Sequence, residues 1–235
     1  SAMLLSYDAS STVATETDMT MSDTTVTIDI FSDIVCPWCV IGGVRLAKAM
    51  AQRPELTVVR NWHPFQLNPD QPAGIPWATY AEQRFGGAEK AKQLFAHVTN
   101  VAASEGITFD YDTVATAANT HDAHRLMLLA SEYDLTWQMA DALYNAYFSA
   151  GIDLNDRTAI GAIASTVGVP AERVSTLWAG DEYSDAVDES METARRINVS
   201  GVPFFIFNQK FAVSGAQPTE IMLKALDAAS GVITL

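Results

Sequence analysis

Both cysteines of the 235-residue chain lie in one stretch, Ser32-Asp33-Ile34-Val35-Cys36-Pro37-Trp38-Cys39, with only Pro37 and Trp38 between them. Two thiols at this spacing admit three readings: a redox couple, half of a zinc site, or two small core residues. Residues three apart on a helix have Cβ atoms about 5 to 6 Å apart, and a disulfide accepts Cα separations of about 4.4 to 6.8 Å. Such a bond can therefore open and close with little backbone movement. Pro37 favours the first helical position, where its missing N–H would be unpaired anyway, which makes Cys36 the residue that caps the helix. Its sulfur is expected to face free N–H groups and the positive end of the helix dipole, both of which favour thiolate and lower its pKa. Asp33, if close, would oppose the dipole. Cys39, one turn further in, is expected to be the less exposed thiol. Cys36 is thus the expected nucleophile and Cys39 the resolving thiol.

The metal reading needs further ligands, and His121-Asp122-Ala123-His124 could supply them. Two residues separate these histidines, whereas zinc sites usually place three to five there. Both also sit where a helix begins after Asn119-Thr120, so capping or a core role is expected and no metal site. A core has no need of an N-terminal proline turn between two buried thiols. The redox reading remains.

The surrounding elements are those that could position such a pair. Val26 to Phe31 has the density of Val, Ile and Phe expected of a buried strand, and the cysteines follow within five residues of its end. After Pro37 the pattern is helical: Val40, Val44, Ala47 and Ala51 recur at helical spacing until Pro54. Gly42 and Gly43 inside that helix suggest close packing. Leu56 to Trp62 is a second strand, so the first 62 residues form a βαβ unit. Pro64, Pro69, Pro72 and Pro76 then puncture a loop. His63, Pro64 and Phe65 could border the site, with packing as the expected role.

Residues 77 to 195 have helical character throughout, with apolar stripes at Leu94, Phe95, Val98, Val101 and Ala102, at Leu126, Met127, Leu129 and Ala130, and at Trp137, Ala140, Leu143, Tyr144 and Tyr147. Trp77, Tyr80 and Phe85 are expected to add an aromatic core, or an apolar wall beside Cys36. Strand character returns at Phe204 to Phe207. Asn208-Gln209-Lys210 joins it to Phe211-Ala212-Val213 as a hairpin, and a last helix begins at Pro218 with Ile221, Met222, Ala225 and Leu226 on one face. A βαβ unit and a ββα unit around one sheet make an α/β, thioredoxin-like fold with a large all-helical insertion. The expected organisation is a disordered tail over 1–24, a thioredoxin-like domain over 25–76 and 196–235, and an inserted helical domain over 77–195.

Composition limits the partners. The chain has 14 Lys and Arg against 28 Asp and Glu, for a net charge of -14, so phosphate backbones and anionic membranes are repelled and neither nucleic acid nor membrane is an expected partner. No run approaches the ~18 apolar residues of a membrane span. The N-terminal stretch has no basic region, and its apolar part is only Met3-Leu4-Leu5, which is no export signal. The expected location is cytoplasmic, where a catalytic disulfide can cycle and a structural one does not last.

Gly-Val-Pro occurs twice. Gly168-Val169-Pro170 runs into a helix and needs no function, whereas Gly201-Val202-Pro203 runs into a strand, where proline is tolerated only at the start or on an edge. The second copy is one of several ordered blocks, SDIVCPWC at 32–39, PFQLNP at 64–69, Asn119 to Leu126, AYF at 146–148, GVPFF at 201–205 and VSGAQP at 213–218, in which the chain resembles the DsbA-like thioredoxin superfamily and its FrnE-like branch. The resemblance runs from about Val26 to the last helix. It implies a cytoplasmic protein dithiol–disulfide oxidoreductase of oxidase or isomerase type, with Cys36 and Cys39 catalytic and a cis Pro203 facing Cys36. Pro37, Val202 and Pro203 would contact substrate, the backbone of Val202 pairing with an extended segment, while Trp38 would either shape substrate contact or simply cover the helix start. It implies no cofactor beyond the Cys36–Cys39 disulfide, with protein or peptide thiols and disulfides as partners and glutathione as a candidate co-substrate. No cysteine follows Cys39 in this sequence, so no relay through a second pair is expected. The alternatives are a glutathione-dependent isomerase or transferase on the same fold, and a non-catalytic redox-sensing binding module.

Overall fold

The structure is a computed structural model that describes residues 24–231. The expected tail before Thr24 lies outside the described residues. Strand β1 (Thr25–Ser32) is central. Strand β2 (Thr57–Pro64) runs parallel to it, from Thr25 opposite Thr57 to Ser32 opposite Pro64. On its other edge β3 (Phe204–Phe207) is antiparallel to β1, and β4 (Phe211–Ser214) is antiparallel to β3, giving the order β2-β1-β3-β4. At the β3–β4 turn Asn208 and Gln209 both have positive φ, 48° and 57°, as a tight hairpin turn requires. The Asn208 side chain accepts from Thr27 N–H and donates to the Ala229 carbonyl, tying the turn to β1 and the C-terminal helix.

Strand alternation sorts side chains onto two faces. Val26, Ile28, Ile30, Phe205 and Phe207 pack on one face with Leu46 and Ala49 of α1 (Pro37–Met50) and Met222 and Leu226 of α9 (Thr219–Ala229). Phe31, Phe204 and Ile206 point to the other face, where they meet Met191 and Ala194 of α8 (Ser184–Arg196). That helix lies within the segment expected as an insertion, yet it covers the sheet.

Three helical stripes differ from expectation. In α1 the buried residues are Cys39, Ile41, Gly42, Leu46 and Ala49, while Ala47 and Ala51 of the expected stripe are exposed and Val40 and Val44 are half-buried. Both sets obey the helical period, and the packing of α1 against the sheet and the helical layer selects between them. In α9, Met222, Ala225 and Leu226 are buried as expected, but Ile221 is exposed.

Between β2 and β3 stand α2 (Trp77–Phe85), α3 (Ala88–Ser104), α4 (His121–Ser131), α5 (Thr136–Phe148), α6 (Arg157–Val167), α7 (Ala171–Ala179) and α8. The expected α4 and α5 stripes are buried or, at Trp137, half-buried. Leu94 of the α3 stripe is instead exposed. Arg125, 2% exposed, holds this layer together: it donates to the carbonyls of Leu177, Gly180 and Glu182 and to the Asp122 carboxylate. Ile34, Cys36, Cys39 and Ile41 belong to the same apolar cluster as α4, α5 and α6, so the cysteine turn is packed into the helical layer.

Candidate active site

The chain leaves β1 at Ser32 and enters α1 at Pro37, with Cys36 in extended backbone (φ -98°, ψ 109°) as the capping residue. This turn places the Cys36 thiol against the Val202–Pro203 loop. The Val202–Pro203 peptide bond is cis, and the Cys36 thiol donates to the Val202 carbonyl at 3.5 Å. The Pro203 carbonyl accepts from Gly215 N–H at 2.8 Å, which joins the GVPFF and VSGAQP blocks. Gly42 lets α1 approach this loop: a Cβ there would lie 2.9 Å from Pro203 Cγ and 3.1 Å from Phe205 Cζ. Gly43 has open space around it, so close packing holds at only one of the two glycines.

The expected cap bond is not formed. The Cys36 sulfur accepts no helix N–H; its thiol is turned to the Val202 carbonyl, and Cys39 N–H donates to the Cys36 carbonyl instead. Nor is Cys39 the less exposed of the two. Cys36 is 3% and Cys39 5% exposed, so surroundings rather than exposure distinguish them.

Both cysteines are free thiols, and Cys39 N–H donates to the Cys36 carbonyl at 3.0 Å. Burial and then the neighbouring Cys36 push the Cys39 thiol well above the ordinary cysteine range, partly offset by Ser32. Ser32 Oγ in turn lies 2.8 Å from the Tyr144 hydroxyl. Cys39, Ser32, Tyr144 and Trp62 border a cavity of about 250 Å³ that also touches Arg60 and Asp141. Burial raises the Asp141 carboxyl and lowers the Arg60 guanidinium, which stacks 4.1 Å above the Trp137 ring.

Cys36 opens the other way, into a cavity of about 160 Å³. Pro37 and Trp38 line it together with Trp77, Tyr80, Phe85 and Tyr111. The apolar wall expected from Trp77, Tyr80 and Phe85 is thus in place. Tyr111 was not singled out in the sequence. Burial and the nearby Cys36 raise its hydroxyl above the usual phenol value, and the hydroxyl has no hydrogen-bond partner.

Asp33 is fully buried and held by its own partners: Oδ2 accepts from Leu67 N–H at 2.8 Å, and Oδ1 is 3.3 Å from His124 Nε2, which is also 3.1 Å from the Phe65 carbonyl. Gln66 Nε2 donates to Asn119 Oδ1, and Asn119 Nδ2 donates to the Pro69 and Gln71 carbonyls. The PFQLNP and Asn119–Leu126 blocks therefore act together as a brace under the strand-to-helix turn. His124 is a core residue of that brace, and His121 is the first residue of α4, where burial lowers its pKa. Among the described residues no group of three or more His, Cys, Asp or Glu could hold a metal ion. His63 stacks on Phe31 and reaches Asp29 Oδ1 at 2.9 Å, Pro64 accepts from Ser190, and Phe65 is buried, so these three pack. Gly168 ends α6 with φ 118°, the structural part expected of the first Gly-Val-Pro.

Ser32 and Tyr144, like Tyr111, are site residues that sequence reasoning missed. Ser32 stands in the cysteine block and Tyr144 in the α5 stripe, but nothing in the spacing signals that they meet 112 positions apart.

Comparisons with known proteins follow this geometry. The DSBA-like thioredoxin domain family matches residues 27–227. A probable DsbA oxidoreductase from Streptomyces coelicolor is 32% identical and superposes with a TM-score of 0.80, covering 89% of this chain and 92% of that one. The cytosolic disulfide reductase DsbM from Pseudomonas aeruginosa, solved with glutathione, shares the fold at 16% identity and a TM-score of 0.60, over 88% of this chain and 96% of that one. The Bacillus subtilis protein YwbO is 22% identical over 208 residues, 86% of this chain and 96% of its own length.

Proposed function

The chain belongs to the DSBA-like thioredoxin domain family of thiol–disulfide oxidoreductases, and from that premise we propose that Cys36 and Cys39 form a redox dithiol that exchanges disulfides with peptide or protein substrates. The observation that carries this reading is the pair of free thiols at the start of α1, Cys36 at its cap and Cys39 in its first turn, with the Cys36 sulfur 3.5 Å from the Val202 carbonyl.

In the reductive direction Cys36, as thiolate, attacks one sulfur of a substrate disulfide. The substrate S–S bond breaks, a mixed disulfide forms, and the other substrate sulfur leaves as thiolate and takes up a proton. Cys39 then loses its proton and attacks the Cys36 sulfur, expelling the second substrate thiolate. The substrate gains two electrons and two protons, and the protein holds a Cys36–Cys39 disulfide. The reverse sequence oxidises a substrate dithiol. Resemblance to the FrnE-like branch favours the oxidase or isomerase direction.

Pro37 and Trp38, which line the cavity at Cys36, and Val202 and Pro203 on its other side are the proposed substrate contacts. Val202 N–H makes no hydrogen bond among the described residues, which leaves it available to an extended substrate main chain. Glutathione is a proposed co-substrate, since the DsbM structure carries it. A cytoplasmic location is proposed by analogy with the cytosolic DsbM. The test is reduction of a disulfide-bonded model peptide by the wild-type protein and by Cys36→Ser. Loss of at least 99% of the rate in the variant is expected, and equal rates would remove the redox reading. Cys39→Ala is expected to accumulate the mixed disulfide, identifiable by mass.

A further inference from the structure

Met191 of α8 lies where the two segments that flank Cys36 are held. Its sulfur accepts the Gln66 N–H at 3.0 Å, from 125 positions away. Gln66 is buried, and a hydrocarbon side chain in place of Met191 would leave that N–H without an acceptor. The residues on either side of Gln66 are bonded to the cysteine turn: Phe65 N–H donates to the Ser32 carbonyl at 3.0 Å, and Leu67 N–H donates to Asp33 Oδ2 at 2.8 Å. Met191 also packs in the apolar cluster of Phe31, Phe65 and Val199 that takes in Val202, whose carbonyl meets the Cys36 thiol. One thioether is thus bonded to the turn behind Cys36 and packed in the cluster that supports the loop against it. Thioethers are the groups that peroxides convert to sulfoxides. Among the described residues Met127, Met139 and Met222 are fully buried, and only Met50 and Met191 are half-buried. Met50 closes α1 at the end away from Cys36, which makes it an internal control.

We propose that Met191 is a peroxide-sensitive modification site whose sulfoxide slows the dithiol centre by displacing the Phe65–Leu67 turn and the Val202 loop from Cys36. A lone pair of the Met191 sulfur attacks the peroxide, the O–O bond breaks, one oxygen joins the sulfur, and the other leaves as water or alcohol; the sulfur loses two electrons and the peroxide gains them. The product places a strongly polar oxygen among Phe31, Phe65 and Val202, where it has water to lose. It also moves the accepting atom one bond beyond the sulfur, so the Gln66 N–H must shift to keep a partner. Methionine sulfoxide reductases are the class of activity that restores the thioether. As a control on exchange, this site rests on the disulfide-exchange reading given above.

The experiment protects the cysteines as the Cys36–Cys39 disulfide, treats the protein with hydrogen peroxide, and then reduces it with dithiothreitol, which leaves sulfoxides in place. Peptide mass mapping is expected to find one added oxygen on Met191. Reduction of a disulfide-bonded model peptide should then slow by about tenfold or more, within the hundredfold that a displacement of an ångström at a reacting centre costs. Alkylation of Cys36 by iodoacetamide should become faster, because the loop that covers it has moved; general damage to the thiol would slow both. Treatment with the two sulfoxide reductases, one for each epimer, is expected to return both rates. Met191→Leu is expected to keep its own starting rates through the peroxide step, and Met191→Gln to show the slowed exchange without peroxide. No oxygen on Met191, an oxidised Met191 with both rates unchanged, alkylation that slows together with exchange, or the same loss in Met191→Leu would each overturn the proposal. No exchange before peroxide, with Cys36 alkylation still raised by Met191 oxidation and restored by the reductases, would sink the disulfide-exchange function and leave the modification site.

Discussion

The hydroxyls of Ser32 and Tyr144 lie 2.8 Å apart, and both residues line the cavity that Cys39 also lines. When Cys39 attacks the mixed disulfide it must first give up a proton that burial holds on firmly, and Ser32 is the hydroxyl placed to stabilise the anion that results. A hydrogen bond to a charged group contributes about 1.5 to 3 kcal/mol, so Ser32→Ala is expected to slow resolution by roughly ten- to hundredfold. Tyr144→Phe, which leaves Ser32 in place, is expected to slow it less. Stopped-flow measurement of mixed-disulfide lifetime reads both. A resolution rate unchanged in Ser32→Ala would remove this role.

The two thiols should react in order. With limiting iodoacetamide near pH 7, mass spectrometry is expected to find the label on Cys36, because burial keeps Cys39 protonated. Label found first on Cys39 would reverse the assignment of nucleophile and resolving thiol.

Raised pKa values at Cys39 and Tyr144, caused in both by burial, also predict how stability varies with pH. The folded protein holds these protons more tightly than the unfolded chain. The stability they contribute is fully present below the unfolded values, about 8.5 for cysteine and 10 for tyrosine, and is lost as pH rises through the raised folded ones. Urea midpoints are expected to fall steadily above about pH 8.5, and Cys39→Ala should flatten the first part of the fall. A flat profile to pH 11 in the wild type would contradict it.

The neighbouring glycines of α1 give a matched pair. Gly42→Ala pushes a methyl into the Pro203 ring and Phe205, and should destabilise by about 1 to 3 kcal/mol and slow exchange by displacing the loop over Cys36. Gly43→Ala meets nothing within 4 Å in an exposed helical position, and should stabilise by roughly 0.5 to 1 kcal/mol. Denaturant unfolding of both variants checks the contrast.

Arg125→Met should cost about 3 kcal/mol or more, since the carbonyls of Leu177, Gly180 and Glu182 lose their donor together. Arg125→Lys should recover only part, because an ammonium cannot reproduce the guanidinium fork. Equal stability of the Lys variant and wild type by denaturant unfolding would show that charge alone is used.

How much of this was legible in the chain depends on how local the cause is. The CPWC turn, the strand before it and the βαβ order rest on residues within a few positions of one another, such as Pro37 at the first helical position and the apolar alternation of Val26, Ile28 and Ile30, and they were read correctly. The hairpin at Asn208-Gln209 was legible for the same reason. Faces were read less well. Helical period allows several apolar stripes on α1, and only packing against the sheet and the helical layer chooses the one through Cys39, Gly42, Leu46 and Ala49. Leu94 and Ile221 were expected inside and lie exposed, because amphipathic spacing says which residues share a face and not what covers it.

By itself the sequence determined that two thiols would share the first turn of a helix fed by a buried strand, since proline geometry and strand alternation act over short range. Only the tertiary structure decided what surrounds them: Asp33 is joined to His124 across 91 positions and Ser32 to Tyr144 across 112, and the ring-lined cavity at Cys36 closes only when α2, α3 and α5 pack together. Contacts of that kind depend on the fold of the whole chain, because each partner's local sequence is compatible with many others until burial leaves it one.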